Sequence, residues 1–262
     1  LPLFFLDAVR LSQRNVAPDS EEKPVREFLE NHAEQMKLIL EYPPFSLKFP
    51  AGQKNEFPDG ISPALLRNVL FVTGFKENIP PEFLEFPRYG DWLNRAFISA
   101  YVSYILSNAL FIKNPEDLFI LSFLKDICYL VLQRTHPKIY SELSRMTGIR
   151  ALDPAEVEAD MGINPGELSS FILEKWGFQQ EFTKPLATLN LYADQNISSK
   201  IIYFSSFIAE FVLNRHPEMS YNDIEKLFVK LFRKSVHDYQ ALLIEVLRII
   251  PKQAAFSGYS DL

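Results

Sequence analysis

The chain has one cysteine, Cys128, so no disulfide can close within it. Cys128 sits in an apolar run and reads as a buried, reduced thiol, which suits a reducing cytoplasm. No CxxC pair exists, which removes zinc-ribbon sites. Glycine is scarce, nine residues in all. There is no GxGxxG or GxxxxGK[ST] loop to cradle phosphate and no GxSxG elbow for a serine nucleophile. The four histidines, His32, His136, His216 and His237, lie far apart in sequence. Two of them precede proline at helix ends, where capping or solvation is their ordinary role. A long apolar run is also lacking. The longest uncharged stretch, FISAYVSYILSNALFI over 97–112, falls short of the about 20 residues that a membrane span needs. The opening LPLFFLDAVR has no charged leader of the signal-peptide kind. Positive charge is in deficit: the net charge is −6 and the pI about 5.4. That disfavours nucleic acid as a partner, and the short basic patches RLSQR and FRKS read as solvated surface.

Present instead are 23 phenylalanines, 11 tyrosines and 18 prolines in 262 residues. The aromatics can fill a sizeable core, and the prolines punctuate helices. Ser62-Pro63 opens a helix over 62–75. A second runs from Asp91 to Leu110, with Ser99, Ser103 and Ser107 as a stripe of small residues that lets another helix approach closely. A third is expected from Asn114 to about Arg134, stopped near His136-Pro137. Asp153-Pro154-Ala155-Glu156 and Asn164-Pro165-Gly166-Glu167 each set a cap, a first-turn proline and an acid in order. Gly177 ends the helix after the second of these. Another helix spans Ile197–Leu213. Ser220 and Asp223 cap a helix whose Ile224, Leu227, Phe228, Leu231 and Phe232 lie along one face, and a last one starts at Ser235. Strand signals barely appear, so the fold class is all-α. Residues 42–60 and 78–90 are proline-rich connectors.

In FLKDICYLVL, over 123–132, a lysine and an aspartate interrupt an apolar run. On a helix Ser122, Lys125, Asp126, Tyr129 and Gln133 share one face. Two readings are open. The stripe is a polar edge facing solvent or a neighbouring polar chain, or Asp126 is an acidic ligand held on a rigid core helix.

LSFLKDICYLVL resembles the segment of the HD superfamily of metal phosphohydrolases in which an adjacent His-Asp pair binds metal. Lys125 stands at the histidine and Cys128 at a customary glycine. Further segments resemble the HDOD branch of bacterial signalling domains: LPLFFLDAVRLSQ, EFLENHAEQMKLILEYPPFS, ISPALLRNVLFVTGF and ELSSFILEKWGFQQEFTKPLATLN. Order and spacing agree over nearly the whole chain, and Trp176-Gly177 and the Lys125-Asp126 helix are the most specific points. The resemblance implies an HD-like helical bundle forming one domain over 1–262. An N-terminal helical lobe would cover 1–90, the core 91–213 and C-terminal helices 214–262.

The resemblance also places a vestigial site. The early histidine of the family falls near Asn94, the pair at Lys125-Asp126, and a later histidine at Pro165. The paired histidines fall at Leu189-Asn190, and a late aspartate near Ser205-Ser206. Only Asp126 keeps its type. A divalent ion needs several oxygen or nitrogen donors converging on one point, so no metal and no other cofactor is expected. The resemblance, stripped of its ligands, implies a cytoplasmic, non-catalytic regulatory module whose partners are other signalling proteins, neither nucleic acid nor membrane. Two rivals are a divergent metal-dependent phosphohydrolase that rebuilt its site from Asp126, Asn94 and Asn190, and a sensor that takes a nucleotide in the vestigial pocket. The Lys125-Asp126 pair is expected to be in mutual contact or separately solvated.

Overall fold

The computed structural model describes residues 89–147, 158–159, 162–189, 196–213 and 220–233, with 240 and 244. The chain divides into two compact units, Leu1–Pro81 and Glu82–Leu262, and every described residue belongs to the second. The helices expected at 62–75, after Asp153 and after Ser235 lie wholly or mostly outside the described residues, as does the 42–60 connector.

All the described elements are helices. They are α1 (Tyr89–Ala109), α2 (Pro115–Leu124), α3 (Ile127–Thr135), α4 (Pro137–Thr147), α5 (Pro165–Lys175), α6 (Gln180–Ala187), α7 (Ile197–Val212) and α8 (Tyr221–Phe232). None of the described helices is long and apolar enough to cross a membrane. Helix α1 packs on α2 and α7, α5 packs on α6 and α3, and α8 lies against α7.

The helix ends obey the sequence signals. Asn164 accepts the Glu167 amide at 3.1 Å, and Asn196 accepts the Ser199 amide at 2.8 Å. Ser220 and Asp223 cap α8 reciprocally, so two otherwise orphaned amides are satisfied at once. At the end of α5, Gly177 has φ +96°. The Phe178 amide reaches back to the Leu173 carbonyl and the Gly177 amide to that of Glu174, the six-residue and four-residue closures that a left-handed glycine permits.

The serine stripe of α1 does what its spacing predicts. Ser99, Ser103 and Ser107 are completely buried. Ser103 Oγ lies 2.9 Å from the Leu118 carbonyl of α2, and Ser99 Oγ lies 3.4 Å from Ser206 Oγ of α7. Small side chains bring the backbones close, and their hydroxyls find carbonyls or another hydroxyl rather than being stranded. Around them Phe119, Phe123, Leu124 and Phe204 are fully buried. Trp92 and Phe97 meet the Phe123 ring edge-on at 5.8 and 5.2 Å. Phe204, Phe228 and Phe232 join α7 to α8, with centroids 4.9 to 5.7 Å apart.

The stop expected near His136-Pro137 is observed: α3 ends at Thr135, and Pro137 opens α4, where its missing amide costs nothing. One expectation needs correction. The single helix expected from Asn114 to Arg134 is two helices, broken at Lys125-Asp126. Asp126 sits at φ −101°, ψ 15°, and the Tyr129 amide closes on the Asp126 carbonyl at 3.1 Å instead of on that of Lys125. The Lys125 carbonyl takes the Ser169 hydroxyl of α5 at 2.6 Å, and the oxygen of that hydroxyl accepts the Cys128 amide at 3.4 Å. A side chain inserted into the i to i−4 ladder is a standard cause of a helix break. It leaves no periodic trace in the segment that is broken.

Where α5 meets α6, a β-carbon on Gly166 would run into the Leu186 carbonyl. Gly166→Ala is therefore expected to lower stability by about 1–3 kcal/mol through overpacking. Urea denaturation tracked by helical circular dichroism measures it, and an unchanged midpoint would refute the close approach.

Candidate functional site

The first part of the polar stripe is withdrawn from solvent: Ser122 is fully buried, and the Lys125 side chain is 9% exposed. Tyr129 and Gln133 are half-buried. At Asp126 helix α1 answers the stripe with a cation, and α7 adds a carboxylate beyond it. Lys125 Nζ meets Asp126 Oδ2 at 2.5 Å, so the pair is in direct contact. Arg95, from α1, places Nη2 3.2 Å from the same Asp126 oxygen. Its Nη1 lies 3.3 Å from Oε1 of Glu210 on α7. Glu210 is 1% exposed, Arg95 17% and Asp126 15%. The outcome is a chain of alternating sign, Lys125–Asp126–Arg95–Glu210, with formal charge zero.

Burial alone would push the Asp126 carboxyl up. The Lys125 ammonium, and after it the Arg95 guanidinium, outweigh burial and keep the group below the usual aspartate range. Burial likewise works against the charge on Arg95, but Asp126 and then Glu210 outweigh it and push its pKa up. On α3, burial raises the Tyr129 hydroxyl well above its ordinary value; Cys128 and Asp126 add to this, while Arg95 opposes it. Burial also pushes the Cys128 thiol up to about 12. A thiol in that state is a poor nucleophile. Arg95 Nε, Glu210 Oε2 and Ser122 Oγ are buried without a hydrogen-bond partner among the described residues.

Of the positions that the sequence singled out, Lys125 and Asp126 belong to this cluster. Asn94 is half-buried on α1, and it is the next residue, Arg95, that reaches Asp126. Leu189 is buried, its amide bonded to the Leu186 carbonyl, and Asn190 lies outside the described residues. Pro165 is the first residue of α5. Ser205 and Ser206 bond back to the Ile201 and Ile202 carbonyls of their own helix. His136 is exposed between α3 and α4, with Nδ1 2.9 Å from Thr135 Oγ1, and the other three histidines lie outside the described residues. Among the described residues no three His, Cys, Asp or Glu side chains come together as a metal would require. Sequence reasoning missed Arg95 and Glu210. The signal was available, because each is the only charged residue in its own apolar stretch: 92–112 for Arg95 and 201–213 for Glu210.

An all-helical bundle, with a Lys-Asp dipeptide at a helix break in its core, is the class that the fold and site define. The HDOD domain family matches residues 64–190 of the chain. No curated protein sequence matches the chain. Among solved structures, an HDOD domain protein of unknown function from Geobacter sulfurreducens superposes with a TM-score of 0.69 at 14% identity, covering 98% of this chain and 91% of that one. A protein from Shewanella amazonensis SB2B, provisionally named a phosphohydrolase, superposes with a TM-score of 0.64 at 13% identity, covering 94% of this chain and 91% of that one. At such identities the likeness establishes the fold.

Among the described residues Arg95 joins two carboxylates, so Arg95→Met leaves Glu210 without its cation and Asp126 with Lys125 alone. It is expected to cost about 3–5 kcal/mol, as breaking a buried pair does, while R95M combined with Glu210→Gln and Asp126→Asn costs less than the single change. Equilibrium unfolding in urea ranks these variants, and an R95M protein as stable as the parent would rule out the cluster. The pH dependence has a defined sign. The folded carboxyl of Asp126 titrates below the unfolded one, near 3.9. Its contribution is then complete above about pH 5 and is lost as pH falls through the folded value. The stability advantage of the parent over Asp126→Asn, measured by thermal melts from pH 7 to pH 2, should shrink only in the acid range.

Proposed function

We propose that this HDOD domain is a non-catalytic signal-transduction module that works by contact with other signalling proteins. The observation that carries this reading is the occupancy of the Asp126 oxygen. It is the one position that keeps its residue type relative to the metal-binding pattern of the HD superfamily, and its Oδ2 holds the Lys125 ammonium and the Arg95 guanidinium. A divalent ion there would lie among two fixed positive charges. The described polar groups linked to that position are Tyr129 and, through Arg95, the Glu210 carboxylate. Zinc, manganese or iron would call for imidazole or several carboxylates around one point, and this donor set does not fit them. The cations supply internally the charge balance that a metal centre would otherwise bring, so no hydrolytic step is routed through the site. A bundle with a packed, neutralised centre is suited to presenting its surface.

Elemental analysis of the purified chain, together with a panel of nucleoside phosphates and cyclic dinucleotides, tests the reading. The expected result is no stoichiometric divalent metal and no turnover in the presence of added manganese or magnesium. Stoichiometric metal with turnover abolished by Asp126→Ala would replace the proposal with a phosphohydrolase, the activity provisionally given to the Shewanella protein.

A further inference from the structure

The helix break and the charge cluster are two descriptions of one place, and a residue from neither helix joins them. Ser169 is completely buried on α5. Its hydroxyl donates to the Lys125 carbonyl at 2.6 Å and receives the Cys128 amide at 3.4 Å. It thus spans the two-residue gap between α2 and α3, touching backbone on either side of Asp126. With that carbonyl occupied, the Tyr129 amide turns to Asp126, and the backbone at Asp126 leaves helical geometry. A continuous helix would carry residues 125 and 126 round by about 100° each. Lys125 keeps helical dihedrals and the break sets in at Asp126, so it is the direction of Asp126, and of α3 after it, that depends on the break.

We propose that Ser169 is the positioning residue of the charge cluster. Its hydroxyl is a latch through which α5 holds the Lys125-Asp126 turn in the shape that lets Asp126 accept Lys125 and Arg95 together. With the hydroxyl withdrawn, the Lys125 carbonyl is free to receive the Tyr129 amide, the two helices join into one, and Asp126 turns away from Arg95. The fold then has two discrete arrangements, and a displacement of α5 selects between them. The inference holds whether or not the module reading is correct, since it concerns only the geometry of the turn.

The neighbour Ser170 supplies a matched control. It is 4% exposed on the same helix, but its hydroxyl points to Glu174 at 3.4 Å instead of to the turn. The experiment is a double-mutant cycle of Arg95→Met with Asp126→Asn, read as unfolding equilibrium constants in urea. It is carried out in three backgrounds: parent, Ser169→Ala and Ser170→Ala. The coupling is expected to be at least tenfold in the parent and in S170A, and to fall below twofold in S169A. Ser169→Thr, which keeps the hydroxyl, should restore the coupling even where the added methyl lowers overall stability. Coupling in S169A equal to that of the parent would overturn the proposal, and so would an equal loss in S170A. If S169A does not fold, Ser169→Thr against the isosteric Ser169→Val carries the same test, and equal coupling in those two overturns it.

Discussion

Arg95 is the interaction on which the centre of this bundle depends. One guanidinium, almost wholly withdrawn from water, joins the carboxylate of Asp126 to that of Glu210. Through them it joins α1 to the α2–α3 break and to α7. Charges in such a place are tolerated only when each has a partner of opposite sign. The three helix segments concerned contribute two cations and two anions, and the four side chains pair in one line. The gain is specificity of arrangement more than net energy. Replacing a buried pair by well-packed apolar groups is often neutral or better, whereas losing one member is costly. The cluster therefore fixes which faces of α1 and α7 meet, leaving the bulk of the stability to Phe119, Phe123, Phe204 and their neighbours.

The serines contribute in a second way. Completely buried hydroxyls recur on α1, α2, α5 and α7. Several of them bond a carbonyl of their own helix, as Ser107 does with Ser103 and Ser205 with Ile201. A hydroxyl satisfied within its own turn makes few demands on the helix opposite and lets the two backbones come near. Ser103 and Ser169 depart from that habit by bonding a carbonyl of another element, and Ser169 does so where the ladder is broken, touching backbone on both sides of the gap. That placement gives Ser169 leverage over the turn at Lys125.

Much of the fold was legible in the chain because its signals are local. The caps at Asn164 and Ser220, the terminating Gly177 and the spacing of Ser99, Ser103 and Ser107 each act within a few residues, so they can be read one at a time. The break at Lys125-Asp126 could not be read this way, because its cause, Ser169, is 44 residues distant. The site was half legible. A lysine and an aspartate in an apolar run drew notice, but their orientation toward solvent or core depends on what other helices offer. Isolated Arg95 and Glu210, taken together with Lys125 and Asp126, hold the answer: four charges stranded on apolar helices must find one another. The family resemblance pointed to Asn94, one position short, because matching by motif fixes a helix but not the residue whose side chain reaches inward.

Cys128 adjoins this cluster, buried and with its sulfur held as the neutral thiol. Peroxide and electrophiles attack the ionised form, and only where they can reach it. The described core thus carries its sulfur as inert filling, and its shape is indifferent to swings in the redox state of its surroundings.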